Sequence, residues 1–510
     1  MLEAGLLIAI IVLPFVTASL AAMRALSASR DSVQIIGASV LLLLTLFAIT
    51  LLFKRSGEAL VLLPGWLALD ALGAFMVLLI ALIGFLATLY GIPYMAEEFR
   101  AGRFSSSAYR RYVFLFHTFL GAMITAALMM NLGLLWVGIE LTTLISALTV
   151  SFYGRPTSLE AAWKYVLMGS VGLTLALLGL IFLFVATTNV PELQGQALDW
   201  QLLHETRNLL APNWMMLAFV LTLVGYGTKA GLAPFHFWLP DAHSESPSPV
   251  SGVLSALLLN TALLGLLRML SIMPDTLLAE AHTLLRTIGA FSLLFAVPFI
   301  FVQWDIKRLL AYSSVEHMGI IVLALGAGGV SGTFAALLHM FNHSVVKSLA
   351  FFSAGRISQV YGTKRIAQIK GAVHAMPFVG GVWMLAMLGA AGTPPFNVFL
   401  SEWLIMKTLF TEGHVVVGTL MVTAVVLVFA AFVTVTVRML YGTPETKEGH
   451  ASPSEARGAG GVPERATRLL GGTSLWMGIS FVVLAAYVLI GGVVVPSSLT
   501  TLIRWAAELL

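Results

Sequence analysis

The sequence has no cysteine and very little charge. With no Cys among 510 residues, disulfides, thiolate metal sites and Cys-ligated iron–sulfur clusters are excluded. Asp, Glu, Lys and Arg make up 10% of the chain, against about 25% in soluble domains. No polar stretch is long enough for a soluble nucleotide- or flavin-binding domain. The net charge of +4 gives no basis for nucleic-acid binding, and loop Lys and Arg read instead as topology signals. The start, MLEAGLLIAIIVLPF, places Glu3 where a secretory signal needs positive charge, so it reads as a retained first membrane helix. What is abundant is apolar: 59% of residues are hydrophobic. At ~20 residues per crossing the length allows a dozen or more spans.

Apolar runs fall at 5–24, 34–53, 67–91, 113–132, 133–152 and 161–186. They continue through a broken stretch around 213–243 and then 251–271, 285–303, 309–328, 332–354, 376–411, 416–438 and 472–495. The expected fold is an all-α polytopic membrane protein of about 14 transmembrane helices. Polar loops are expected at 93–112, 188–211, 241–250 and 355–370. The segment 442–468, rich in Gly, Pro and charge, reads as a flexible loop.

Two of the helices are interrupted. GLAPFHFWLPDA, from Gly231, aligns with GTPPFNVFLSEW, from Gly392: Pro234 falls on Pro395, Phe235 on Phe396, Leu239 on Leu400 and Asp241 on Glu402. Corresponding Gly/Pro-broken helices point to a transporter built of repeated bundles. The expected organisation is helices 1–3 in 1–111, two inverted five-helix repeats in 112–271 (helices 4–8) and 285–438 (helices 9–13), and a C-terminal helix in 472–510.

Ionisable residues inside apolar helices are costly and mark function by default. Lys229 lies within the first break. Glu140 lies mid-span in LLWVGIELTTLIS, with Lys164 and Lys229 as available partners. Separating a lysine from a carboxylate changes the lysine's proton affinity, which is the physical content of a relay. His317, His339, His343 and Lys347 lie on adjacent spans and suit a hydrated proton path. Glu402 and Lys407 follow the second break, and His236 and His243, with Asp241 and Glu245, follow the first. Each has a plainer alternative as a packing or interfacial hydrogen-bonding group, and for Asp70 and Arg268 the structural role is preferred. His339 and His343 stand at i, i+4, but without HExxH or a carboxylate ligand set no metal site is expected.

The stretches GIELTTL (138–144), EAAWKYVLMGSV (160–171), GYGTKAGLAPFHFWLPDAHSESPSPVSGVLSALLLN (225–260), DIKRLLAYSSVEHMGI (305–320), LLHMFNHSVVKSLAFFSAG (337–355) and GTPPFNVFLSEWLI (392–405) resemble one family. It is the antiporter-like subunits of respiratory complex I, Mrp-type sodium/proton antiporters and group-4 membrane-bound [NiFe] hydrogenases. Within that family the sequence resembles the F component of hydrogenase-4, of formate-hydrogenlyase type. The resemblance implies that Glu140 and Lys229 form the coupling pair of the fifth and seventh helices. It also implies that Glu402 is the acidic residue of the twelfth, and that His317 and His339 line the water path between. Complex I relatives carry lysine in an eighth-helix LLKT; here the sequence reads LLNT, with Asn260, so a path would run through water and histidines.

The function expected is a proton-translocating, non-redox subunit of a hydrogenase-linked oxidoreductase complex, with no cofactor of its own. Its expected partners are further antiporter-like membrane subunits, a peripheral hydrogenase or dehydrogenase arm, and the lipid bilayer. The resemblance implies a multi-pass position in a bacterial or archaeal cytoplasmic (inner) membrane. The alternative is an Mrp-like sodium/proton antiporter subunit or the membrane partner of an inorganic-carbon uptake complex. Sodium favours oxygen ligands, whereas lysines and histidines favour protons. An intramembrane enzyme lacks a nucleophile or metal set, and a pure scaffold is at odds with the buried charges.

Overall fold

The computed structural model describes residues 2–443 and 473–510. The loop expected at 442–468 therefore lies outside the described residues from 444 onward. Helices α1 (Leu2–Ala22) and α2 (Arg30–Lys54) lead to a short hairpin, β1 (Leu60–Leu63) and β2 (Leu67–Leu69). Then come α3 (Ala71–Arg100), α4 (Ser106–Ala127), α5 (Leu132–Val150) and α6 (Pro156–Ala186). A short α7 (Trp200–Glu205) precedes the first broken crossing, α8 (Pro212–Ala230) with α9 (Trp238–Glu245). The next crossing joins α10 (Ser248–Val253) to α11 (Leu259–Ser271) through a π-turn at Leu254–Leu258.

The second half holds α12 (Leu278–Phe301), α13 (Ile306–Ala327), α14 (Gly329–Tyr361) and a short α15 (Ala372–Ala375). The second broken crossing is α16 (Pro377–Ala390) with α17 (Asn397–Thr411), followed by α18 (Val415–Tyr441), α19 (Leu475–Ile490) and α20 (Ser497–Glu508). Among the described residues nine helical segments are long and apolar enough to span a membrane on their own. The two broken helices, the more polar α4 and α14, and the short apolar α19 bring the crossings to about the fourteen expected.

Local chemistry moves several boundaries. The expected third span began at 67, but Leu60–Leu69 folds back as a hairpin whose Trp66 carbonyl and Ala68 N–H pair with 128–130. Asp70 then starts α3 by accepting from the Gly73 N–H at 2.8 Å. The same helix runs through PYMAEEFR, expected to be loop, because Tyr94, Met95 and Glu98 are buried and Glu98 is held by Arg103 at 2.8 Å. Likewise α14 continues to Tyr361, where Gly362 adopts the left-handed conformation that ends it.

Helix direction alternates, so connections gather on two faces. The hairpin, residues 129–131 and Asp199 meet on one face. On the other, Arg103, Arg155, Glu245, Asp305, Lys307 and Lys364 line a cavity of about 640 Å3. Close packing sets the angles inside: a Cβ on Gly225 of α8 would lie 2.6 Å from the Gly172 carbonyl of α6. One on Gly289 of α12 would lie 2.7 Å from the Gly319 carbonyl of α13.

One ion pair staples this packing. Arg268 of α11 donates to both Asp70 carboxylate oxygens, at 2.6 and 2.8 Å, with both side chains almost fully buried. The guanidinium also lies 4.2 Å from the Trp200 ring. Removing one partner leaves a buried, uncompensated charge. Asp70→Ala is expected to cost about 3–5 kcal/mol. A thermal melt of the detergent-solubilised protein checks this, with Asp70→Ala/Arg268→Ala losing less than the sum of the single variants.

Candidate functional site

The first break is built so that its freed backbone groups find partners, as burial in a membrane demands. Helix α8 ends at Gly231, whose φ of 80° only glycine adopts without strain. The Trp238 indole N–H donates to the Thr228 carbonyl at 2.9 Å, and the Ala233 N–H donates to Ser292 Oγ at 3.0 Å. Lys229 thus sits in the last turn of a helix whose end is tied to α9 and α12.

Lys229 is completely buried. Its Nζ donates to Thr143 Oγ1 at 2.6 Å and to the Tyr165 hydroxyl, and it lies 4.6 Å from the Tyr165 ring centre. Thr143 Oγ1 in turn donates to Glu140 Oε2 at 3.3 Å, and Ser170 Oγ donates to Glu140 Oε1 at 3.1 Å. Tyr165 and Ser146 share a further hydrogen bond of 2.7 Å. Lysine and glutamate are thus joined through a hydroxyl rather than in direct contact. A hydroxyl that accepts from the ammonium and donates to the carboxylate can pass a proton between them. Thr143, Tyr165 and Ser170 were not singled out from the sequence. The available signal was spacing: Thr143 is one turn beyond Glu140 on the same helix face.

Lys164, expected as a possible partner of Glu140, points elsewhere. It pairs with Glu160 at 2.5 Å and with Asp241 at 3.3 Å, and about a third of its side chain is exposed. Asp241 also meets Arg308 at 2.8 Å, and Glu245 meets Lys364 at 3.0 Å and Thr157 at 2.8 Å. Of these groups Glu245 and Lys364 line the polar cavity. Buried Lys307 donates to the Ser246 carbonyl at 2.5 Å at the same cavity. His243 is buried against Phe351, ring centres 5.1 Å apart, and neither ring nitrogen has a protein partner. His236 packs on Phe295 at 5.1 Å.

The histidines converge. His317 Nδ1 and His339 Nε2 are 3.0 Å apart, His339 Nδ1 and Ser401 Oγ are 3.0 Å apart, and the His343 ring centre lies 5.2 Å from that of His317. Ser401 precedes Glu402 on α17. The Glu402 carboxyl is buried with no protein hydrogen bond and presses on Gly392, where a Cβ would stand 1.8 Å from Oε2. A ring nitrogen of His317, one of His339 and a carboxylate oxygen of Glu402 lie within 4.8 Å of one another, a span that one water can bridge. Asn342 clamps the second break by donating to the Asn397 carbonyl at 2.8 Å and to Ser401 Oγ at 3.1 Å. Lys347 is buried nearby on α14, whereas Lys407 is exposed on α17.

Comparison with known proteins matches this architecture. Residues 129–428 fit the family model described as "NADH:quinone oxidoreductase/Mrp antiporter, TM", and residues 66–105 fit the N-terminal model of chain 5 of complex I. The chain is 40% identical over 408 residues to a hydrogenase-4 component F homolog of Methylacidiphilum infernorum, covering 79% of this chain and 83% of that one. It is 31% identical over 388 residues to NADH-quinone oxidoreductase subunit N of Desulforudis audaxviator, covering 75% of each. The fold is that of a chain in the Mrp complex from Dietzia sp., at 19% identity and a TM-score of 0.81 over 100% of this chain and 98% of that one. A multi-pass membrane protein with two broken helices and a hydroxyl-bridged lysine–glutamate pair, the chain belongs to the NADH:quinone oxidoreductase/Mrp antiporter family, as an antiporter-like membrane subunit of the kind shared by complex I, Mrp and group-4 hydrogenase complexes.

Proposed function

We propose that the chain translocates protons within a hydrogenase-linked oxidoreductase complex of a bacterial or archaeal cytoplasmic membrane, with redox chemistry on partner subunits. The carrying observation is the Lys229–Thr143–Glu140 arrangement in a broken helix. Drawing Glu140 away lowers the affinity of Lys229 for its proton, and water admitted to the site then carries the released proton off. The likeness to hydrogenase-4 component F supports the hydrogenase link. Residues 112–271 and 285–438 act as two inverted repeats, each with one broken helix. His317, His339, His343 and Glu402 serve the second half, and the polar cavity near His243 serves as a proton mouth.

Glu140 also bears on partners. It is only half-buried, on a face of α5 and α6 that exposes Val137, Leu141, Leu144, Leu148, Trp163 and Leu167. A carboxylate facing lipid is costly, which supports burial of this face against a neighbouring membrane subunit. Movement of a charge in that neighbour would then reach Lys229 through Glu140.

In vesicles holding the complex and a pH-sensitive dye, Lys229→Ala and Glu140→Gln are each expected to cut substrate-driven proton uptake on the order of 10²-fold while assembly is kept. Thr143→Val should do the same and Thr143→Ser should not. Normal uptake in both Lys229→Ala and Glu140→Gln would overturn the mechanism.

The positive-inside rule orients the chain. Arg24, Arg100, Arg103, Arg110, Arg111, Arg155, Lys364, Arg365 and Lys370 lie on the cavity face, while the hairpin face holds Lys54, Arg55 and Arg207 among more acidic residues. The cavity face is therefore cytoplasmic. Because the chain has no native cysteine, single substitutions report cleanly. Ser107→Cys should resist, and Asn189→Cys should react with, a membrane-impermeant maleimide added to intact cells. The reverse pattern would invert the assignment.

A further inference from the structure

A second lysine and a second glutamate meet across a hydroxyl in the other half of the molecule. Lys347, on α14, is completely buried, and its Nζ donates to Ser313 Oγ at 2.5 Å and to the Leu310 carbonyl at 3.3 Å. Ser313 Oγ donates to Glu316 Oε2 at 3.4 Å. The order ammonium, hydroxyl, carboxylate repeats that of Lys229, Thr143 and Glu140. In both cases the hydroxyl lies one helical turn from the carboxylate on the carboxylate's own helix. Thr143 follows its glutamate and Ser313 precedes its own.

Glu316 lies beside His317 in the stretch DIKRLLAYSSVEHMGI. In the structure its Oε2 is 3.8 Å from His317 Nε2, an atom with no hydrogen bond of its own. His317 continues through His339 to Ser401, beside Glu402. Glu316 therefore stands at the junction between Lys347 and the histidine cluster, and it is almost fully buried there.

Asn260 gives this junction a purpose. Its Nδ2 donates to Ser344 Oγ at 2.8 Å and to the Ala256 carbonyl at 2.9 Å, just past the π-turn of the same crossing. Ser344 is one turn before Lys347 on α14. An amide fastened in this way cannot change charge. The helix it grips, however, carries a lysine one turn along, and that lysine has a carboxylate behind its hydroxyl partner.

We propose that Glu316, bridged through Ser313 to Lys347, is a titratable proton station of the second half, and that it supplies the charge-changing step Asn260 cannot. The Lys347 ammonium gives a proton to Ser313 Oγ as the Ser313 hydroxyl proton passes to Glu316, which leaves a neutral amine and a neutral acid. Glu316 then gives its proton to His317 Nε2 and returns to carboxylate, and Lys347 takes its next proton from the proton mouth near His243. The 3.8 Å gap is longer than a hydrogen bond, so the carboxyl turns toward the imidazole for this transfer. The proposal rests on the proton-translocating reading above.

The test uses the complex in dye-loaded vesicles, with Lys229→Ala as reference. Glu316→Gln is expected to lower the rate of proton uptake on the order of 10²-fold. Glu316→Asp should restore a measurable part of that rate with a displaced pH profile. Ser313→Ala should match Glu316→Gln, and Ser313→Thr should stay near the parent. A role confined to holding Lys347 in place would lower the melting temperature without displacing the pH profile of Glu316→Asp. Unchanged uptake in Glu316→Gln, with uptake lost in Lys229→Ala, overturns the station and leaves the wider reading standing. Unchanged uptake in both overturns the two together. If Glu316→Gln does not assemble, Glu316→Asp decides: an undisplaced pH profile overturns the proposal.

Discussion

An ammonium group placed where bulk water cannot reach it must have its hydrogens accepted by protein, and much of this fold meets that demand at Lys229. The acceptors come from α5 and α6, through Thr143 and Tyr165. The lysine's own helix ends one residue later, and its loose carbonyl is taken by Trp238 of the following segment. The Tyr165 ring centre lies 4.6 Å from that of Trp238, so the side chain that receives the lysine is also packed on the one that seals the break. Helices α6 and α8 can present these groups to each other because Gly172 and Gly225 bring their backbones into contact. A methyl group at either position would push the acceptors away from the charge.

The placement of the hydroxyl also decides what the pair can do. A lysine in direct contact with a carboxylate in a medium of low dielectric is held as an ion pair by a large Coulomb energy, which falls as separation grows. With Thr143 between them, Lys229 and Glu140 attract one another more weakly, so modest changes in hydration or in the position of Glu140 alter the lysine's proton affinity. Asp70 and Arg268 show the contrast. They meet in direct two-point contact on α3 and α11, with no hydroxyl between. That geometry suits a fastener and gives no easy route for a proton.

What the sequence made legible were features whose signal is local. A charge in an apolar run and a Gly-Pro interruption of a helix are visible without knowing any neighbour, so Lys229, Glu140, Glu402 and both breaks stood out. The hydroxyls did not. Thr, Ser and Tyr are ordinary in membrane helices, and only the packing of α5 on α6 and of α13 on α14 turns Thr143, Tyr165 and Ser313 toward a lysine. Lys164 shows the converse. As a lysine inside an apolar run it was an available partner for Glu140, but the helical turn it occupies directs it to Asp241 and Glu160. The hairpin at Leu60–Leu69 was hidden because its apolar residues merge with the run that follows, and Asp70 alone marks where helix begins.

The two halves differ in what surrounds the same kind of carboxylate. Glu140 lies on an outer face among exposed apolar side chains, so a partner's charge can act on it. Glu316 and Glu402 are enclosed among α13, α14 and α17, beside His317, whose Nε2 lacks a protein partner, and His343, neither of whose nitrogens has one. Unsatisfied polar atoms at this depth are costly unless water or a transferred proton completes them. Completing one changes what its neighbours need: a proton on His317 adds a charge beside Glu316 and alters its pull on Lys347. The outward-facing Glu140 is thus placed to feel a charge outside the chain, whereas the enclosed groups of the second half are placed to feel one another.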